Sequence, residues 1–187
     1  MAARIPREFQ DLKTTPFAQL QADDVELVDE SLTHWKLTFS NLGAPYEGGR
    51  FTVHVEFTAE YPFKAPKMSL GTQIFHPNFA TAAAGGGGGA VKIPMCMDIL
   101  NDWSPARKMR TVVETVISIL LHPETEHPGN AEAAAAFADN PAAFRKTAQE
   151  WTNSECLGRT GSGLACPFSV THAPAHLSSP LPPCISA

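Results

Sequence analysis

Charge of one sign is scarce in this sequence. Its 187 residues carry 14 Lys and Arg against 19 Asp and Glu, a net charge of −5 with the two signs interspersed. That balance excludes the basic runs of a nucleic-acid binder. Long apolar runs are also missing: no stretch of about 18 apolar residues occurs, and the start is not the basic-then-apolar pattern of a secretory signal. The expectation is a soluble intracellular protein, cytoplasmic and/or nuclear, with neither nucleic acid nor membrane as partner. Cysteine is sparse too: Cys96, Cys156, Cys166 and Cys184. None sits in a CxxC or Cys/His metal spacing, so neither zinc nor any other metal or cofactor is expected. Three of the four crowd toward the C-terminus, which argues against a disulfide framework. Cys96 stands apart, in MCMDILNDWSP (Met95 to Pro105). A cysteine between apolar neighbours is by default a small core residue, so its meaning depends on the rest of the chain.

What is present fits one domain of ordinary size with some excess. RIPREFQDL places Ile5, Phe9 and Leu12 on one stripe of a short helix, with Arg4, Arg7, Glu8 and Asp11 outside it. Pro6 is tolerated there only in the first turn. HWKLTFS alternates Trp35, Leu37 and Phe39 against His34, Lys36 and Thr38. FTVHVEFT alternates Phe51, Val53, Val55 and Phe57 against Thr52, His54, Glu56 and Thr58. Both predict half-buried strands, joined across the turn-rich NLGAPYEGGR. Strands near Val25 to Val28 and Lys67 to Leu70 complete a four-stranded antiparallel meander, with prolines in EYPFKAP breaking regular pairing before the last.

The period then changes. From Met109 to Leu121, Val112, Val116 and Leu120 form one stripe with Val113, Ile117 and Leu121 beside it, which predicts a helix buried on the sheet. AEAAAAFA is a short helix by propensity. Asn140-Pro141 is a helix start, capped by Asn with Pro in the first turn, and sends Phe144, Ala148 and Trp151 inward. The expected organisation is a core over residues 1–152, interrupted by a low-complexity Ala/Gly insert at 81–90. A Ser- and Pro-rich tail over 153–187 is expected to be disordered.

Five motifs accompany these elements in order: PYEGGRF (Pro45 to Phe51), YPFKAPK (Tyr61 to Lys67), HPN (His76 to Asn78), CMDIL (Cys96 to Leu100) and WSPA (Trp103 to Ala106). Each alone is weak. Together, over about Arg4 to Trp151, the sequence resembles the ubiquitin-conjugating enzymes. The resemblance implies their α/β (α+β) fold: an N-terminal helix, a four-stranded antiparallel meander, an active-site loop and then three helices. It implies that Cys96 accepts ubiquitin as a thioester from an activating enzyme and passes it to a substrate lysine or a ligase cysteine. A thioester is a good acyl donor to amines, which is why sulfur is required.

The resemblance also assigns roles to other residues. Asn78 is implied to stabilise the oxyanion or to hold the active-site loop, and His76 is implied to be structural although Cys and His often pair in catalysis. Asp98 is implied to orient the incoming lysine and help it lose a proton. Glu126 and His127 fall in the loop that flanks the cysteine, where many members carry an acid in place of His127. Phe63 matches an exposed aromatic that docks on ligases, with Pro105 and Ala106 as the neighbouring loop. Arg4 and Arg7 match a basic helix face used by the activating enzyme and by ligases. The implied partners are therefore ubiquitin, its activating enzyme, ubiquitin ligases and substrate proteins.

The sequence also departs from the family pattern. The spacing from His76 to Cys96 is roughly doubled by the insert, which the weak length dependence of loop closure makes tolerable. Phe75 stands where many members have Tyr, and the last helix is expected to end near Trp151. Three other readings stay open: the same chemistry with another ubiquitin-like modifier, a non-catalytic scaffold of this fold, and a cysteine hydrolase, for which no accompanying motif is found.

Overall fold

The computed structural model describes residues 4–81, 93–95 and 98–157, without the side chains of residues 98, 99 and 155–157. Helix α1 (Arg4–Thr14) turns Ile5 and Leu12 into the core and packs Phe9 beside them. A single 3-10 turn over Ala22–Asp24 leads into strands β1 (Val25–Leu27), β2 (His34–Phe39), β3 (Phe51–Glu56) and β4 (Lys67–Leu70). The strands pair antiparallel in sequence order, as the alternation predicts. Trp35 lies opposite Val55, Leu37 opposite Val53 and Phe39 opposite Phe51, all six buried. The polar set falls on the other face, with His34 opposite Glu56 and Lys36 opposite His54. Because side chains alternate along a strand, this register is the one that buries every apolar residue of the pair.

A fifth strand, β5 (Ile93–Pro94), extends the expected four-stranded sheet among the described residues. Ile93 pairs with Leu70 and Pro94 with Ser69. Two residues are too few to show a period, and a proline there is compatible only with an edge. A short helix α2 (Asp98–Asn101) follows, also beyond the expected elements.

Helix α3 (Met109–Leu121) buries Val112, Val113, Val116, Ile117 and Leu120 in the same core as the inner sheet face. Helix α4 (Ala131–Asp139) is capped by Asn130, whose Oδ1 accepts the Ala133 N–H at 3.1 Å. Helix α5 (Pro141–Leu157) is capped the same way by Asn140, whose Oδ1 accepts the Ala143 N–H at 3.1 Å. Phe144 and Ala148 are buried and Trp151 half-buried, as the spacing predicts. The helix does not stop near Trp151 but continues to Leu157, across the boundary placed at 152/153. No helical stop signal, glycine or proline, occurs in WTNSECL to end it earlier. Most of the Ala/Gly insert and the tail from residue 158 lie outside the described residues.

Candidate active site and partner surface

The HPN turn is built around a buried imidazole. His76 has no exposed surface, and its Nδ1 accepts the Asn78 N–H at 3.1 Å. The ring is packed between Tyr46 and Phe79, at centroid distances of 5.8 and 4.9 Å. Burial lowers its pKa to about 4. With Nδ1 accepting, the proton of the neutral ring sits on Nε2, on the side of the carbonyls at the end of α3. A buried neutral imidazole, accepting the Asn78 N–H and packed between two rings, sets the shape of the turn.

Asn78 emerges from that turn half-buried. Its Nδ2 donates to the Glu124 carbonyl at 2.9 Å, and its Oδ1 accepts the Glu124 N–H at 2.9 Å. Two further contacts bind the same segments: the Asn130 N–H donates to Pro77 O at 2.9 Å, and Gly129 approaches so closely that a Cβ there would lie 2.5 Å from Asn78 O. The loop over residues 122–130 is therefore moored to HPN at both ends. Of the two roles that the family resemblance implies for Asn78, this geometry supports holding the loop. One N–H of its Nδ2 is not used by Glu124. Glu126 and His127 are exposed on the moored loop.

Cys96 itself lies outside the described residues. Before it, Met95 is buried and donates its N–H to Met68 O at 2.9 Å, continuing the edge begun by β5. After it, Asp98 opens α2, and Leu100 packs against the core. The backbone of Asp98 is described; the direction of its carboxylate is not.

A second cluster gathers the sequence-predicted partner residues. Phe63 is 78% exposed, the most exposed large apolar side chain among the described residues. Pro105 and Ala106 are exposed in the turn that precedes α3. Trp103 ties the two segments together, its Nε1 donating to Pro62 O at 2.7 Å. Arg7 is exposed on α1. Arg4 differs from Arg7, because its guanidinium is engaged within the chain. Nε donates to Glu8 Oε1 at 2.9 Å, Nη2 to Arg107 O at 2.5 Å, and Nη1 to Pro105 O. It also lies over the Tyr61 ring, 5.4 Å from the centroid, while the Tyr61 hydroxyl donates to Glu8 Oε2. Burial, followed by the Glu8 carboxylate, raises the Tyr61 phenol above its ordinary range, so it remains a donor.

Glu8, Tyr61, Trp103, Glu124 and Gly129 were not anticipated as parts of the site. Arg4 and Glu8, four apart on a helix, carried a readable signal. Tyr61 acts through its hydroxyl on Glu8, and Trp103, Glu124 and Gly129 through backbone groups and a close approach, contacts that spacing in the sequence does not show. Among the described residues no group of three or more His, Cys, Asp and Glu is placed to hold a metal ion, and no helix is long and apolar enough to cross a membrane.

A meander sheet with an HPN turn moored to the loop before α4 agrees with the class of protein that the sequence motifs resemble. The family model for ubiquitin-conjugating enzyme matches residues 4–152, and the chain belongs to that family. It is 36% identical over 163 residues to ubiquitin-conjugating enzyme E2 1 of Schizosaccharomyces pombe, covering 86% of this chain and 70% of that protein. It is 37% identical over 150 residues to ubiquitin conjugating enzyme E2 B of Dictyostelium discoideum, covering 80% of this chain and 93% of that protein. Among solved structures, the ubiquitin conjugating enzyme E2 domain of Toxoplasma gondii superposes with a TM-score of 0.68 at 30% identity, over 83% of this chain and 99% of that chain.

Proposed function

We propose that Cys96 is the residue on which this ubiquitin-conjugating enzyme carries its cargo. The carboxyl carbon of the ubiquitin C-terminus moves from a thioester on the activating enzyme to Cys96 Sγ, and the activating enzyme's thiol leaves. A substrate lysine amine then attacks that carbon, forming an isopeptide bond and releasing the Cys96 thiol; a ligase cysteine would instead receive it as a new thioester. The observation that supports this reading is the family match across residues 4–152, a span that includes Cys96, which in the sequence follows the buried Met95 and precedes the start of α2 by two residues. Asn78 serves by holding the 122–130 loop, and Asp98 and His127 set which nucleophile is favoured. Phe63, Pro105 and Ala106 form the surface for ligases, and Arg7 is a charged contact for the activating enzyme.

The test is charging with ubiquitin, activating enzyme and ATP, read on a non-reducing gel. A reductant-sensitive adduct is expected for the native chain. It is absent in Cys96→Ala and replaced by a reductant-resistant oxyester in Cys96→Ser, because an alkoxide is the poorer leaving group. Charging that survives Cys96→Ala overturns the assignment. Charging only by an activating enzyme for another ubiquitin-like modifier would redirect the same chemistry to that modifier.

A further inference from the structure

Residues placed on a partner surface are expected to hold their charges outward. Arg4 does not. Its three guanidinium nitrogens donate to three different acceptors: Glu8 on its own helix, and the carbonyls of Pro105 and Arg107 on the turn before α3. Its side chain is 28% exposed and that of Glu8 11%. The turn is held on its other side by Trp103, whose indole donates to Pro62 O next to the exposed Phe63. The Arg107 N–H donates to Ser104 O at 2.9 Å and closes the turn. Phe63 and the Pro105-Ala106 pair therefore stand at a fixed mutual position because two side chains clamp the connecting backbone. Only an arginine can supply three directed N–H bonds in one plane; a lysine ammonium at the end of a flexible stem has no such fork.

We infer that Arg4 is a positioning residue for the ligase surface: with Glu8 as its anchor, it presents Pro105 and Ala106 beside Phe63 without itself being the contact. The inference rests on the reading that Phe63 docks ligases, and the two can be tested apart. Arg4→Lys keeps the charge and loses the fork. Glu8→Gln removes the carboxylate from under Arg4 while adding nothing to the surface.

The first measurement is amide hydrogen exchange over residues 103–109 in the uncharged full-length protein. Faster exchange at Arg107 is expected in both variants and in Arg4→Ala, while Phe63→Ala leaves it unchanged. This result does not depend on any ligase; unchanged exchange in both Arg4→Lys and Glu8→Gln overturns the inference. The second measurement uses a ligase domain chosen because Phe63→Ala weakens its stimulation of ubiquitin discharge. With it, Arg4→Lys and Glu8→Gln should each raise the ligase concentration for half-maximal stimulation by about tenfold, the size expected for losing charge-assisted hydrogen bonds. Rates at saturating ligase should match the native chain. The double variant should be no worse than either single one, because both act through one clamp. A loss confined to Arg4→Lys, with Glu8→Gln native-like, makes Arg4 a direct contact and overturns the positioning role. If no ligase domain responds to Phe63→Ala, the docking reading fails, and the exchange result still decides whether Arg4 holds the turn.

Discussion

Asn78 grips the backbone of Glu124 with both ends of its carboxamide, donating to the carbonyl and accepting from the N–H, each at 2.9 Å. Removing that grip in Asn78→Ala should cost about 1–2 kcal/mol of stability, two hydrogen bonds at a partly solvated site. Exchange at the Glu124 amide should accelerate, and lysine discharge should slow. Gly129→Ala separates loop holding from a direct role for the amide. Its Cβ would fall 2.5 Å from Asn78 O, which is backbone and cannot step aside cheaply. The loop must move although the Asn78 side chain is intact, so discharge should fall here too. Native discharge in Gly129→Ala would return Asn78 to an oxyanion role.

His76 makes stability depend on acid. Its folded pKa is about 4, lowered by burial, against about 6.5 in an unfolded chain. Between these values the unfolded chain holds a proton that the folded chain does not. The contribution is therefore fully present above about pH 6.5 and is lost as pH falls toward 4, at a slope near 1.4 kcal/mol per unit and roughly 3 kcal/mol in all. Urea denaturation across pH 4.5–8 should show that slope, and His76→Gln should flatten it. An imidazole titration by NMR with a midpoint near 6.5 in the folded protein would contradict the burial argument.

Phe63→Ala should leave the melting temperature nearly unchanged, because the ring is 78% exposed and such surface changes stay within about 0.5 kcal/mol. Ligase affinity should fall by about 30-fold, the effect of losing roughly 2 kcal/mol at an aromatic anchor. Charging by the activating enzyme serves as the control for intact chemistry.

His127 lies exposed on the loop that Asn78 moors. An incoming lysine is an ammonium until it loses its proton, and a carboxylate attracts it where an imidazole does not. His127→Asp should speed discharge onto free lysine about fivefold, the worth of about 1 kcal/mol between charges 4 Å apart in water. Asp98→Ala should slow it. Chasing the charged protein with lysine and separately with cysteine checks both. If only cysteine discharges it, and His127→Asp restores no lysine reaction, the chain passes ubiquitin to ligase cysteines.

The strands and the long helix were legible because their burial repeats. Alternation around Trp35 and Val55 gives both the strands and their facing sides, and the wide stripe through Val112, Val116 and Leu120 gives α3. The two-residue β5 and the four-residue α2 were not, since neither spans a full period of its own pattern. Motifs singled out Asn78, Phe63 and Pro105, and the structure gives their surroundings: Asn78 bonded to the backbone of Glu124, Phe63 and Pro105 exposed. That Arg4 turns inward was not legible, because a guanidinium's choice between solvent and two carbonyls a hundred positions away depends on tertiary placement alone. Leu157 as the end of α5 was missed for a related reason: nothing in WTNSECL forbids a helix, and the shift in composition begins only beyond it.

The sheet and α1 are joined by very different lengths of chain. Every strand pairs with its neighbour in sequence, so each pairing closes only the one connection between consecutive strands. Helix α1 docks on the nearby β1 and also on α3, nearly a whole domain away, where Arg110 donates to Thr15 O at 2.8 Å and lies 4.4 Å from the centre of the Phe17 ring, just past the end of α1. Closing that circuit requires most of the intervening chain to be in place already. On this topology the seat of α1 on β1 and on Trp35 closes over a short length of chain, and its contact with α3 comes after. A chain emerging from a ribosome would hold its first helix against the first two strands alone until α3 had been made.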